Sequence, residues 1–196
     1  MNGLTGFQRD LLYVIVGGDE PNGLEVRAEI DEYYEREIDR AHVYYNRDVL
    51  LEDGYIDYSE RVGRGKRLKV TEKGFQSIVD RRHWEDDRIE LTGEWEEDPE
   101  APAGSMTELT KIERDVVYVV AGGDLMLGAD VHKELDAYYP EGVRQNTIYN
   151  SLTDGVKRGD VTKERLDGSH TWYDLSEQGE RTLEARRSWE SQYVEV

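Results

Sequence analysis

The chain has 196 residues and carries 25 Lys and Arg against 44 Asp and Glu, a formal net charge of -19. It has no cysteine, which excludes disulfides and thiolate metal sites. No apolar run reaches the ~18 residues that a membrane-spanning helix needs, and no leader pattern precedes the first helix, so a soluble, cytoplasmic protein with no membrane partner is expected.

The acid is spread along the chain. Residues 4–87 carry 13 basic and 20 acidic side chains, 88–108 carry 1 and 7, and 109–196 carry 11 and 17. Arginine outnumbers lysine by 18 to 7. An acidic, lysine-poor surface in every segment points to a cell that accumulates molar salt, as haloarchaea do. There a Debye length of ~3 Å makes self-repulsion tolerable. The rival explanation is an acidic protein that binds a basic protein partner or mimics DNA.

In chain order, LTGFQRDLLYVIVGGD at residues 4–19 returns as LTKIERDVVYVVAGGD at 109–124. The register then holds, with roughly two dozen identities over about 80 positions. The chain is therefore expected to hold two like domains, at 1–90 and 108–196, joined by an acidic linker at 91–107.

Each repeat opens on a capping box, Thr5 with Gln8 and Thr110 with Glu113. Phe7, Leu11, Leu12 and Ile15 follow at helical spacing, as do Ile112, Val116, Val117 and Val120. Gly17-Gly18 and Gly122-Gly123 are expected to stop these helices. A second helix runs from Gly23 or Gly128 to a Tyr-Tyr pair, Tyr33-Tyr34 or Tyr138-Tyr139, expected to pack in the core with wet hydroxyls.

The third helix is predicted over 40–53 and 145–158, closing at Gly54 and Gly159. The period then falls to 2 around Gly63 and Gly168, which predicts a β-hairpin in each repeat. Thr71 and Ser176 then cap a last helix carrying Trp84 or Trp189. Within 91–107 no periodicity survives, and Trp95 is expected to dock on a domain, since a free indole gains nothing in water. The fold class is thus mainly α with small β-hairpins (α+β).

Helix, helix, helix, hairpin, helix is the order of a winged helix-turn-helix, in which the third helix reads the major groove. The run Asn146-Thr147-Ile148-Tyr149-Asn150-Ser151-Leu152, with Lys157-Arg158-Gly159-Asp160-Val161, resembles the reading helix of PadR-like winged-helix regulators. Val70-Thr71-Glu72-Lys73-Gly74 and Leu175-Ser176-Glu177-Gln178-Gly179 are similar to that family's segment after the wing. The resemblance covers both repeats and implies a tandem duplicated, haloarchaeal-type transcriptional regulator. It also implies association through the helices after the wing, here those of Trp84 and Trp189.

In the second repeat Ile148, Leu152 and Val156 are expected inward, leaving Gln145, Asn146, Thr147, Asn150 and Ser151 for base edges and phosphates. The first repeat offers Arg40, Ala41, His42, Tyr45 and Asn46, with Arg47 in the slot of Leu152, either snorkelling or on a slightly rotated helix.

The first wing, with Arg61, Arg64, Lys66, Arg67 and Lys69 and no acid, is a local basic island suited to phosphate. The second, with Lys163 and Arg165, is mixed in charge. Double-stranded DNA is the expected partner, bound by a homodimer or an intramolecular pseudo-dimer. His42, His83, His132 and His170 are scattered, so no metal, cofactor or enzymatic role is expected.

Overall fold

The computed structural model describes residues 1–60, 65–89, 105–165, 168 and 170–194. It is mostly helical with two small antiparallel sheets, an α+β fold whose element order is compatible with a winged helix. No described helix is long and apolar enough to cross a membrane. The chain divides into two compact units. One holds Met1, Gly3–Arg82 and Trp189–Val196; the other holds Asn2 and His83–Ser188. Each unit thus contains the body of one repeat and the tail of the other.

In the first unit, α1 (Gly6–Gly17) starts at the expected capping box. Thr5 accepts from the Gln8 N–H at 3.2 Å, and the Gln8 side chain accepts from the Thr5 N–H at 3.0 Å. Both ends of the exchange satisfy donors that the first helical turn would leave orphaned. Asn22 and Glu25 build the same device ahead of α2 (Gly23–Tyr33). Asp39 caps α3 (Arg40–Glu52). Strands β1 (Ile56–Tyr58) and β2 (Leu68–Val70) pair antiparallel with Ile56 opposite Val70. Thr71 then accepts from the Gly74 N–H at 3.1 Å to start α4 (Glu72–Asp86), which runs out of this unit after Arg82. The core comprises Leu11, Leu12, Ile15, Val26, Ile30, Val43, Leu50, Ile56, Leu68 and Ile78, all nearly inaccessible, with Trp189 and Val194 from the end of the chain.

Besides the end of α4, the second unit holds a 3₁₀ turn, Met106–Glu108, whose Met106 is buried with Leu109. Met106, which the sequence suggested as part of the end of a linker, belongs to a packed core; Trp95 lies outside the described residues. The capping box of Thr110 and Glu113 opens α5 (Lys111–Ala121). A two-residue strand, β3 (Met126–Leu127), precedes α6 (Gly128–Tyr138). Then come α7 (Gln145–Arg158), β4 (Val161–Glu164), β5 (Trp172–Leu175) and α8 (Glu177–Ser191). Here β5 lies between β3 and β4, so the sheet has three strands where a hairpin was expected. In the first unit the corresponding third element is an isolated bridge between Asn22 and Arg67, with Leu68 donating to the Pro21 carbonyl at 2.9 Å.

The exchanged tails make matching contacts in the two units. Trp189 stacks on Tyr33 with ring centroids 3.9 Å apart, and Trp84 lies on Tyr138 at 4.2 Å. Tyr193 directs its hydroxyl to Glu29 at 3.4 Å, and Arg88 pairs with Glu134 at 3.0 Å. Arg82 reaches Glu190 and Ser191, each at 3.2 Å, and Arg187 pairs with Asp86. All of these positions match at the 105-residue offset of the sequence repeat, Glu190 corresponding to Glu85.

The first helix of each unit ends at its paired glycines as expected, with Gly18 and Gly122 as the caps, and the glycines serve a second purpose besides. Gly18 caps α1 with φ -82°, an ordinary extended backbone, so no left-handed stop is present. A Cβ on Gly17 would instead stand 2.4 Å from the Tyr193 ring, and one on Gly122 would stand 2.7 Å from the Arg88 carbonyl oxygen. Glycine is needed there because the exchanged tail lies against the helix end.

The tyrosine pairs pack in the cores as expected, but Tyr34 and Tyr139 do not keep wet hydroxyls. Tyr34 donates to Asp10 at 2.7 Å and Tyr139 donates to Asp115, both carboxylates being fully buried. Each interaction ties the first helix of its unit to the end of the second, in a setting where an unpaired carboxylate would be costly.

Trp189→Ala is expected to destabilise the first unit by about 3–5 kcal/mol, the usual cost of deleting a buried tryptophan. Denaturant unfolding followed by circular dichroism measures it. A loss below about 1 kcal/mol, the range of an ordinary surface change, would show that the indole does not fill a core seat.

Candidate nucleic-acid interface

Helix α7 separates two faces. Ile148 and Leu152 are fully buried and Ser151 is 7 % exposed, with Gly155 completing the stripe. Gln145, Asn146, Thr147 and Asn150 are exposed. Four of the five side chains expected outward therefore share one solvent face, and Ser151 does not. The centre of the buried stripe falls on Gly155 and not on Val156, which is only half-buried. Glycine carries no side chain to mark an inward position, so the apolar pattern placed the stripe slightly out of phase.

The C-terminal end of α7 is fixed from three sides. Gly159 closes it in the left-handed region, φ 92°. Arg158 pairs with Glu113 at 2.6 Å and with Asp160 at 2.8 Å. Lys157 pairs with Asp154 at 2.8 Å. Burial works to raise the Glu113 carboxyl, but hydrogen bonds from Thr110 and the Arg158 guanidinium outweigh it and hold the group below its ordinary value. Burial works against the Arg158 charge, and bonds to Asp160 and Glu113 outweigh that in turn. The capping carboxylate of α5 is thus also the anchor for the end of α7.

Helix α3 presents a different face. Val43, Asn46 and Leu50 are its buried residues. Asn46, expected at the surface, is 4 % exposed. It accepts from the Gln8 side chain at 3.0 Å and donates to the His42 carbonyl at 2.9 Å. Asn46 and Ser151 occupy the same position in the two repeats, and at Asn46 the inward polar group is satisfied by Gln8 and the His42 carbonyl.

Arg40, Ala41, His42 and Tyr45 are exposed, Tyr45 by 68 %. The His42 ring rests against Phe7 at 4.4 Å between centroids. Arg47 is half-buried, lies over the Tyr44 ring at 4.5 Å and pairs with Asp48 at 2.5 Å. It therefore snorkels along the helix, the first of the two geometries open to it.

The described cations of the first wing are Lys66, Arg67 and Lys69. Arg61 and Arg64 lie outside the described residues. Lys66 is exposed over the Tyr58 ring at 4.3 Å. Arg67 is half-buried, donates to the Glu20 carbonyl at 2.8 Å and sits 3.8 Å from Glu25, so it helps attach the hairpin. Lys69 is exposed but shares an open depression with Asp19, Glu20, Ser59 and Glu60. In the second unit Lys163 and Arg165 are exposed beside Glu164. Among the described residues no group of three or more His, Asp or Glu converges as a metal site.

Glu113→Gln provides a pH test of this anchor. A depressed carboxyl contributes stability that is complete above its unfolded value, near 4.5, and is lost as pH falls through the folded value. The wild-type chain should lose stability more steeply than the variant below about pH 4.5. Parallel acid titrations of thermal unfolding would show this, and coincident curves would remove the Glu113–Arg158 anchor.

No family model matches the chain, and no curated protein does. Nine solved chains match. H. salinarum RosR, from crystals grown from NaBr, is 31 % identical, with 46 % of this chain and 81 % of that one covered at a TM-score of 0.42. A complex named RosR-S1 is 32 % identical over 44 % of this chain and 77 % of that one, at 0.41. A complex named RosR-SG is 34 % identical over 41 % and 71 %, at 0.38.

Proposed function

We propose that this chain is a sequence-specific DNA-binding transcriptional regulator, a PadR-like protein with two tandem winged-helix domains, working in a salt-rich cytoplasm. The observation that carries this reading is the α7 face. Gln145, Asn146, Thr147 and Asn150 stand exposed on a helix whose other side is locked into a core, and no carboxylate stands among them. Amides and hydroxyls held in this way suit hydrogen bonding to base edges in a major groove. The antiparallel pair that follows, with exposed Lys163 and Arg165, supplies a wing for the flanking backbone.

The net charge of -19 is compatible with such a role in molar salt. Counterion release weakens as bulk salt rises, so base contacts and shape must carry more of the affinity. The reciprocal tails support reading the chain as an intramolecular pseudo-dimer. Trp84 and Trp189 occupy matching aromatic seats, which in separate chains would call for a second copy.

Acids on the first unit support a second reading, a docking module for a basic protein. Asp39, Asp48, Glu52 and Asp53 are all exposed on or beside α3. The two readings differ in their ligand. Enrichment of specific genomic fragments from sheared DNA in molar KCl is expected for the first, and its absence would leave the second.

Sedimentation equilibrium should give a single species near 22.7 kDa, the mass of one chain. A stable particle of twice that mass would overturn the pseudo-dimer.

A further inference from the structure

The third helices of the two repeats match in register and differ by one residue in length, 13 against 14, yet they carry opposite charge. From Asp39 to Asp53 the first has two cations, Arg40 and Arg47, against four acids, Asp39, Asp48, Glu52 and Asp53. From Arg144 to Arg158 the second has three cations, Arg144, Lys157 and Arg158, against one acid, Asp154. The reversal is position by position: Asp39 stands where the second repeat has Arg144, Glu52 where it has Lys157, and Asp53 where it has Arg158.

Geometry sharpens the contrast. The Asp39 carboxylate closes the start of α3, accepting from the Ala41 and His42 N–H groups at 2.7 and 3.2 Å. Arg144 makes no side-chain cap and is exposed. One of the two α3 cations is already committed, Arg47 to Asp48. A duplex approaching α3 would meet four exposed carboxylates, each facing phosphate repulsion that salt reduces but does not reverse. Approaching α7, it would meet uncharged donors and acceptors with Arg144 exposed at the helix start, while Lys157 and Arg158 at the far end are paired with Asp154, Glu113 and Asp160.

We propose that the two helices have divided the work: α7 alone reads base edges, and the first unit touches DNA only through its hairpin, where Lys66 and Lys69 are exposed. The operator would then be asymmetric, with one specific half and one half bound without regard to sequence. This inference rests on the DNA-binding reading above.

The test is selection from a pool of random-sequence duplex by the full-length chain in molar KCl, repeated with three double variants at exposed positions. A single block of specified bases is expected. Asn146→Ala with Asn150→Ala should erase or rewrite that block and weaken binding to the selected duplex by roughly 5- to 150-fold per lost contact. His42→Ala with Tyr45→Ala should return the same block. Lys66→Ala with Lys69→Ala should weaken selected and random duplex by the same factor, the signature of phosphate contacts.

Two equally specified blocks in inverted repeat, or a block altered by the His42 and Tyr45 changes, would overturn the division while leaving DNA binding intact. Failure of the wild-type chain to enrich any sequence would overturn both.

Discussion

The structure depends on two tryptophans seated away from the repeats that encode them. Trp189 closes the core that Leu11, Ile15 and Ile30 begin, and Trp84 packs with Val116, Val120 and Leu135. Each indole lies on the first tyrosine of a Tyr-Tyr pair, and the second tyrosine is hydrogen-bonded to a buried aspartate of the first helix. The tail, the second helix and the first helix are thus linked by one aromatic seat. Aromatic pairs add ~0.5–1.5 kcal/mol beyond the area they bury, so stacking orients the tail while burial supplies most of the stabilisation. Because the first unit needs residues 189–194, its core is incomplete until the chain end arrives. Contacts so distant in sequence slow folding, since loop closure precedes their reward.

Electrostatics within each unit follows the same division between buried and exposed. Arg82 and Glu190 are 8 % and 2 % exposed, and their side chains meet at 3.2 Å. Isolating either charge there would be strongly unfavourable, so the pair specifies how the tail seats more than it stabilises the unit. Concentrated salt would barely screen it. Exposed pairs such as Lys157 with Asp154 have no such protection.

Much of the local structure was legible because it is encoded locally. The capping boxes at Thr5 and Thr110, the left-handed glycines at Gly54 and Gly159 and the hydroxyl caps at Thr71 and Ser176 all form as the sequence implied. The exchange of tails was not legible. Periodicity tells which face of a helix is apolar, but not which core receives it, and Trp84 and Trp189 would satisfy the same pattern in either arrangement. Strand β3 was too short to leave a period, and at Asn46 and Ser151 polarity was a poor guide to exposure. The surroundings of Arg67 and Lys69 were not legible for a different reason: Glu20, Glu25 and Asp19 are remote from them in sequence and near them in space.

The charge reversal between the third helices bears on how two like sequence repeats can differ in their outer faces. The buried stripes of α3 and α7 need only satisfy their cores, and they do so with different residues: Leu50 stands where α7 has Gly155, and Arg47 stands where it has Leu152. Bulk lost at one position is restored one turn away, so the fold is retained while the outer face is free to change. In dilute buffer four added carboxylates would repel a duplex from a distance, and the whole chain with it. At molar ionic strength the repulsion acts within only a few ångströms. On the proposed reading of α7, an acidic helix can sit on the same chain at such ionic strength without cancelling it, so salt would be the condition under which the two faces can diverge.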